Sequence, residues 1–152
     1  MPLFTLLPEA VGTIRAESKD AILDQLADRF AAVYALDRDE VLRGILQREK
    51  LGSTGFGRGV AVPHARMGGL SRPIAMFLRL EEPVDFDAAD GAPVDLVFGL
   101  LSPDQAGATH LHALAAISRM MRDDRMHTAL VEARDPEAIY GLLCNVIDRD
   151  AA

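Results

Sequence analysis

GSTGFGRGVAVPHAR, residues 52–66, is the stretch on which the fold of this chain turns. Gly55, Gly57 and Gly59 alternate, then run into a short apolar segment that stops at Pro63, and His64 follows. Glycine lets a backbone take positive φ and approach a ligand closely. Proline ends a strand and removes a donor. The expectation is one imidazole at the mouth of a loop rich in free amides, an arrangement suited to a phosphoryl group. Nucleotide motifs do not fit. A P-loop needs Lys-Ser/Thr after its last glycine, and both the P-loop and the dinucleotide fingerprint open a helix. Here Gly59 opens Val60-Ala61-Val62-Pro63, a strand pattern.

Outward from this segment, helical and extended patterns alternate. Residues 11–15 read as a first strand. Ser18 is an N-cap for a helix carrying Ile22, Leu23, Leu26, Phe30, Val33 and Tyr34. A second helix begins after Asp37 and ends at Arg48 or Lys50, with basic residues in its last turn and Gly52 as C-cap. Residues 60–63 form a short strand, and residues 74–80 and 94–101 are the two clearest strands. The last is almost wholly apolar, as a central strand covered on both faces would be. Residues 81–93 hold Pro83, Asp90-Gly91 and Pro93 and read as turns with at most one extended pair. Helices follow from near Thr109, over 124–133, and over 136–148, where Pro136 suits a first turn. The pattern predicts an α/β sandwich around a small, partly parallel sheet.

Composition sets the bounds. The 152 residues suit one domain, and 49% hydrophobic with 26% charged residues is globular. A net charge of −7 argues against nucleic acid, whose partners carry a basic patch, and suits a basic protein partner. The N-terminal Met-Pro-Leu-Phe-Thr-Leu-Leu-Pro has no basic flank, and no run approaches the roughly 20 apolar residues of a membrane span. The expected location is the cytoplasm, without membrane insertion. Cys144, the one cysteine, reads as a small core residue.

Metal chemistry finds no ligand set. His110 and His112 are two residues apart, about 200° around a helix, and neither Cys-x-x-Cys nor His-Glu-x-x-His occurs. A nucleophilic histidine fits better. A neutral imidazole can attack a phosphoryl group when its other nitrogen is held as a donor. Phosphoryl transfer then asks mainly for positioning and charge stabilisation. Ser53 and Thr54 offer hydroxyls; Arg48, Arg58 and Arg66 offer charge. Residue types alone leave open a histidine that merely follows a proline.

The run Leu46-Gln47-Arg48-Glu49-Lys50-Leu51-Gly52-Ser53-Thr54-Gly55, followed by Gly59-Val60-Ala61-Val62-Pro63-His64, resembles the fructose/mannitol-type enzyme IIA domains of the bacterial phosphoenolpyruvate phosphotransferase system. Its nitrogen-type branch is the nearest match. The resemblance extends through Asp85-Phe86-Asp87-Ala88, Pro93-Val94-Asp95-Leu96-Val97-Phe98 and Thr109-His110-Leu111-His112, so it covers most of the chain. It implies a single domain over residues 1–152, an α/β sandwich with a mixed, roughly five-stranded sheet flanked by helices. It implies that His64 accepts a phosphoryl group on Nε2 from phosphohistidine on HPr or its nitrogen-type relative. Arg48 would compensate phosphoryl charge, Ser53 and Thr54 would stand beside it as phosphate-binding hydroxyls, and His110 would assist. His112 is the other candidate for that last role. Ala65 departs from the glycine that relatives often carry after the histidine. His127 reads as a surface residue, Asp85 and Asp87 as structural or solvated, and Met120-Met121 as packing. No cofactor and no metal is implied.

The expected function is a regulatory phosphocarrier whose phosphorylation state alters binding to target proteins. The alternatives are a sugar-specific subunit passing phosphate to a IIB domain and, from another class, a non-catalytic interaction module.

Overall fold

Two side-chain caps set the start of the helical layer. Ser18 Oγ accepts from Ala21 N at 3.1 Å and opens α1 (Lys19–Tyr34), and Asp37 Oδ1 accepts from Glu40 N at 3.1 Å and opens α2 (Arg38–Glu49). Each satisfies one of the four amides a helix start leaves without a partner. The structure, a computed structural model, describes residues 2–151. Strand β1 (Val11–Ile14) precedes the helices, and β2 (Gly55–Gly57), β3 (Val60–Ala61), β4 (His64–Met67), β5 (Ile74–Val84) and β6 (Val94–Pro103) follow them. The chain ends in α3 (Ala108–Met121), α4 (Asp124–Glu132) and α5 (Pro136–Ala151). Among the described residues no helix is long and apolar enough to cross a membrane.

The sheet is mixed and has six strands in the order β1-β5-β6-β3-β2, with β4 pairing β6 beyond β3. Strand β1 runs parallel to β5, β5 antiparallel to β6, and both β3 and β4 parallel to β6. The sixth strand comes from an interruption that reads in sequence as a stop. Val60 and Ala61 pair with Leu96 and Val97; then Pro63, which has no N–H, breaks the ladder, and pairing resumes at His64 opposite Leu100. Pro63 still accepts from Leu100 N at 3.0 Å, so the pairing loses only the one bond that the proline cannot donate. Strand β5 also outruns its expected end. It continues through Pro83 because the register against β6 slips between Arg79 and Val84, where no regular ladder bond is required of the proline.

Strand β6 and residues 74–80 of β5 are buried on both faces. Phe98 stands edge-on to Phe4 and Phe77, each at 5.7 Å between ring centroids, and all three are buried. Met120 and Met121 pack into this core. Cys144 lies on α5 only half-buried, so it is not the core residue its apolar surroundings implied. The reason is local: the helix turns Leu143, fully buried, inward instead.

Helix α1 lies close on the sheet because Gly99 has no side chain. A Cβ there would stand 2.9 Å from Phe30 Cε2 and 3.0 Å from Leu26 Cδ1. Gly141, in α5, has nothing within 4 Å of the same position. Urea unfolding of the two alanine variants therefore gives opposite signs. Gly99→Ala loses about 1–3 kcal/mol through overpacking, and Gly141→Ala gains about 0.5–1 kcal/mol through helix propensity.

Candidate functional site

The resumption of pairing at His64 places its ring at the start of β4, against the C-terminal half of β6 and the last turn of α2. Two hydrogen bonds determine its chemistry. Nδ1 lies 2.8 Å from the carbonyl oxygen of Val62, which can only accept, so Nδ1 carries the proton. Nε2 therefore presents a lone pair, and Arg48 Nε donates to it at 3.2 Å. Arg48 Nη1 is anchored on the Gly52 carbonyl at 2.8 Å. Burial first, and the Arg48 charge as well, push the His64 pKa below its ordinary value; the Val62 carbonyl opposes them. The ring is neutral at pH 7 and its lone pair is available.

His110 stands beside it in the first turn of α3, 5.5 Å between ring centroids. It is 5% exposed, and its Nδ1 lies 2.6 Å from the hydroxyl of Ser102, itself fully buried. Burial, then the positive charges of Arg66 and of a protonated His64, lower its pKa to about 4. His112 is exposed, as the angle between the two positions requires. Gln47, Arg48, Leu51, Arg66 and His110 line a shallow open depression around His64. Arg66 is exposed and donates to Gly107 O at 3.3 Å, at the uncapped start of α3. An anion over His64 Nε2 would thus meet two guanidinium groups, one imidazole and the positive end of a helix.

Ser53 and Thr54 are not in this depression. The Ser53 hydroxyl donates to Phe86 O at 2.7 Å, and the Thr54 hydroxyl donates to the Glu49 carboxylate. The cause is Glu49, which is 8% exposed and must be surrounded by donors: Thr54 N at 3.2 Å and Lys19 Nζ at 2.8 Å complete its set. These residues pin the loop whose Gly52 carbonyl holds Arg48. Sequence reasoning missed Glu49, although it continues the buried four-residue stripe of Val41 and Ile45. It also missed Ser102, for which the apolar run of β6 carries no signal, and it offered Arg58 and Arg66 alike as charge, of which only Arg66 lines the depression.

The glycines do not form an amide cradle on the imidazole. They build the β2–β3 hairpin, packed against residues 88–95. Gly59, at φ 78°, would put a Cβ 2.9 Å from Asp95 Oδ1 and 3.1 Å from His127 Cε1. His127, expected at the surface, is half-buried there with Nε2 3.1 Å from Asp95 Oδ1, because α4 covers the hairpin. Arg58 faces away from His64, donating to Arg122 O at 2.9 Å. Asp85 and Asp87 close an exposed turn, with Asp85 Oδ1 accepting from Asp87 N at 3.0 Å.

Residues 7–146 match the family described as phosphoenolpyruvate-dependent sugar phosphotransferase system, EIIA 2. A nitrogen regulatory protein of Bradyrhizobium diazoefficiens is 44% identical over 145 residues, 94% of this chain and 95% of the relative. One from Pseudomonas aeruginosa is 43% identical over 130 residues, 85% and 84% of the two chains. Among solved structures, nitrogen regulatory protein IIA-Ntr from Neisseria meningitidis superposes with a TM-score of 0.85 at 33% identity, covering 91% of this chain and 95% of that one.

The two histidines have a pH signature. Both folded-state pKa values lie below the ordinary 6.5, and that of His110 is about 4. As pH falls from 6.5 the unfolded chain therefore binds more protons than the folded one. Their contribution to stability is complete above pH 6.5 and is lost toward pH 4. Thermal melts across that window are expected to show a falling Tm, with a shallower fall in His110→Gln. Long-range ¹H–¹⁵N spectra at pH 7 are expected to show His64 as the neutral Nδ1–H tautomer.

Proposed function

The chain belongs to the phosphoenolpyruvate-dependent sugar phosphotransferase system EIIA 2 family, and from that premise we propose that it is a cytoplasmic regulatory phosphocarrier in which His64 Nε2 accepts a phosphoryl group from phosphohistidine on an HPr-type carrier protein. The observation that supports this most directly is the Val62 carbonyl on Nδ1–H, which leaves an uncharged ring with its lone pair on the open side. The Nε2 lone pair forms a bond to phosphorus as the donor's P–N bond breaks. The donor imidazole leaves with that electron pair, and each ring keeps the proton on its other nitrogen. No base is needed, so catalysis rests on position and charge.

Arg48 supplies most of the charge. Its Nε already lies on the attacked side of the ring, and a phosphoryl oxygen bound to Nε2 comes within its reach. Arg66 stands on the rim as a second cation for the incoming dianion. The carrier role makes the phosphate itself the signal. It adds about 1.5–2 negative charges to an otherwise cationic and partly apolar depression, so a partner that docks on the bare surface meets repulsion and lost apolar contact after transfer. The nitrogen regulatory proteins among the relatives favour this regulatory use, with nitrogen-linked target proteins as the readers.

The test is transfer from labelled phosphoenolpyruvate through enzyme I and HPr. The protein should acquire acid-labile, base-stable label, and His64→Ala should acquire none. Arg48→Ala should retain His64 but take the label about 10²–10³-fold more slowly, as expected for removal of one preorganised charge-stabilising donor. A wild type that stays unlabelled beside an active donor would refute the reading.

A further inference from the structure

Ser102 Oγ and His110 Nδ1 lie 2.6 Å apart, and a contact between a hydroxyl and a neutral imidazole can run in either direction. Burial decides it. Ser102 is fully buried, and among the described residues its side chain has no other hydrogen-bond partner. If His110 donated from Nδ1, the buried hydroxyl proton would be left without an acceptor. The hydroxyl therefore donates to Nδ1. A neutral ring that accepts at Nδ1 carries its proton on Nε2, the nitrogen on the ring edge away from Ser102.

That edge matters because His110 helps to line the depression around His64. We propose that Ser102 is a positioning residue that holds His110 as an Nε2–H donor toward the phosphoryl group on His64. The inference deepens the phosphocarrier reading and rests on it. The strand ends then impose opposite tautomers on neighbouring rings. The Val62 carbonyl, just before β4, can only accept and leaves His64 with a lone pair at Nε2. Ser102, near the end of β6 and opposite Arg66 in the register, must donate and leaves His110 with a proton at Nε2. One ring attacks and the other stabilises the oxygens being transferred. The same arrangement stops His110 from competing as the nucleophile, since its outward nitrogen has no free lone pair. The lowering of the His110 pKa to about 4 keeps the ring in the singly protonated form for which this distinction exists.

Long-range ¹H–¹⁵N spectra of the intact protein read the tautomer directly. Wild type is expected to show His110 as Nε2–H, Ser102→Ala to shift it toward Nδ1–H or a mixture, and Ser102→Thr, which keeps the hydroxyl, to restore it. The rate of phosphoryl transfer from phospho-HPr should fall about tenfold in Ser102→Ala and recover in Ser102→Thr, with the KM for phospho-HPr unchanged. A structural role alone would move stability without moving the tautomer, and the unchanged His64 signals report that the variant is folded. An Nδ1–H tautomer at His110 in the wild type overturns the proposal, and that reading needs no variant to fold. So does a Ser102→Ala protein whose tautomer or transfer rate stays that of the wild type. A wild type that takes no label beside an active donor removes the phosphocarrier reading, and with it the purpose assigned to the Nε2 proton, while the spectrum still decides how Ser102 and His110 are bonded.

Discussion

Everything at the site depends on the parallel pairing of residues 60–67 with one edge of β6, broken once at Pro63. Strands of two and four residues are too short to hold themselves. Their geometry is borrowed from β6, which is buried along nearly its whole length. Gly59 and Pro63 turn their carbonyls to β6, accepting from Leu96 N and Leu100 N, so the alternation of the strand turns Val62 the other way, where its N–H donates to Thr54 O and its carbonyl meets His64 Nδ1. The pairing of this segment thus selects the tautomer of His64, and the rest of the site is arranged around that choice.

The electrostatics follow from the same placement. Burial disfavours a charged imidazole at both His64 and His110, and the arginines on the rim act in the same direction. Two neutral rings 5.5 Å apart can coexist where two charged ones would repel. Around them sit cations, in a chain whose net charge is −7. This local reversal of sign suits an anionic group delivered by another protein, and the exposed Leu51 on the rim offers apolar surface beside it.

The helices and the two central strands were legible because each carries its own signal: Ser18 and Asp37 as caps, Pro136 at a first turn, and unbroken apolar runs in β5 and β6. Strands β2 and β4 were not: β2 is two glycines around Phe56, with no apolar alternation to read, and β4 is created by pairing with β6, distant in sequence. His64 stands out in its motif, and the family resemblance alone names Arg48 and His110, which the structure brings beside it although no spacing in the sequence does so. The glycine cradle was a misreading of chemistry that was present. The glycines are needed for positive φ and close packing, but against Asp90, Asp95 and His127, residues no local pattern connects to them. Ser53 and Thr54 failed for a related reason. A hydroxyl near a reactive group in sequence is free to bind phosphate only if no buried acceptor claims it first, and Glu49 and the Phe86 carbonyl do so.

That competition explains how Arg48 can serve two states. In the proposed transfer a donor on the attacking lone pair opposes bond formation, so Arg48 Nε would leave Nε2 as phosphorus arrives. A free guanidinium would pay for that move in lost order. Here Nη1 remains on the Gly52 carbonyl, and the group has only to turn about that anchor for Nε to pass from the ring nitrogen to a phosphoryl oxygen. The anchor is as firm as the loop that carries it. The loop is held by Ser53 on Phe86 and by Thr54 on Glu49, with Lys19 neutralising the carboxylate from α1. In the proposed transfer the two hydroxyls would therefore act through the arginine, and the Glu49–Lys19 pair would link the first helix of the chain to the compensating charge.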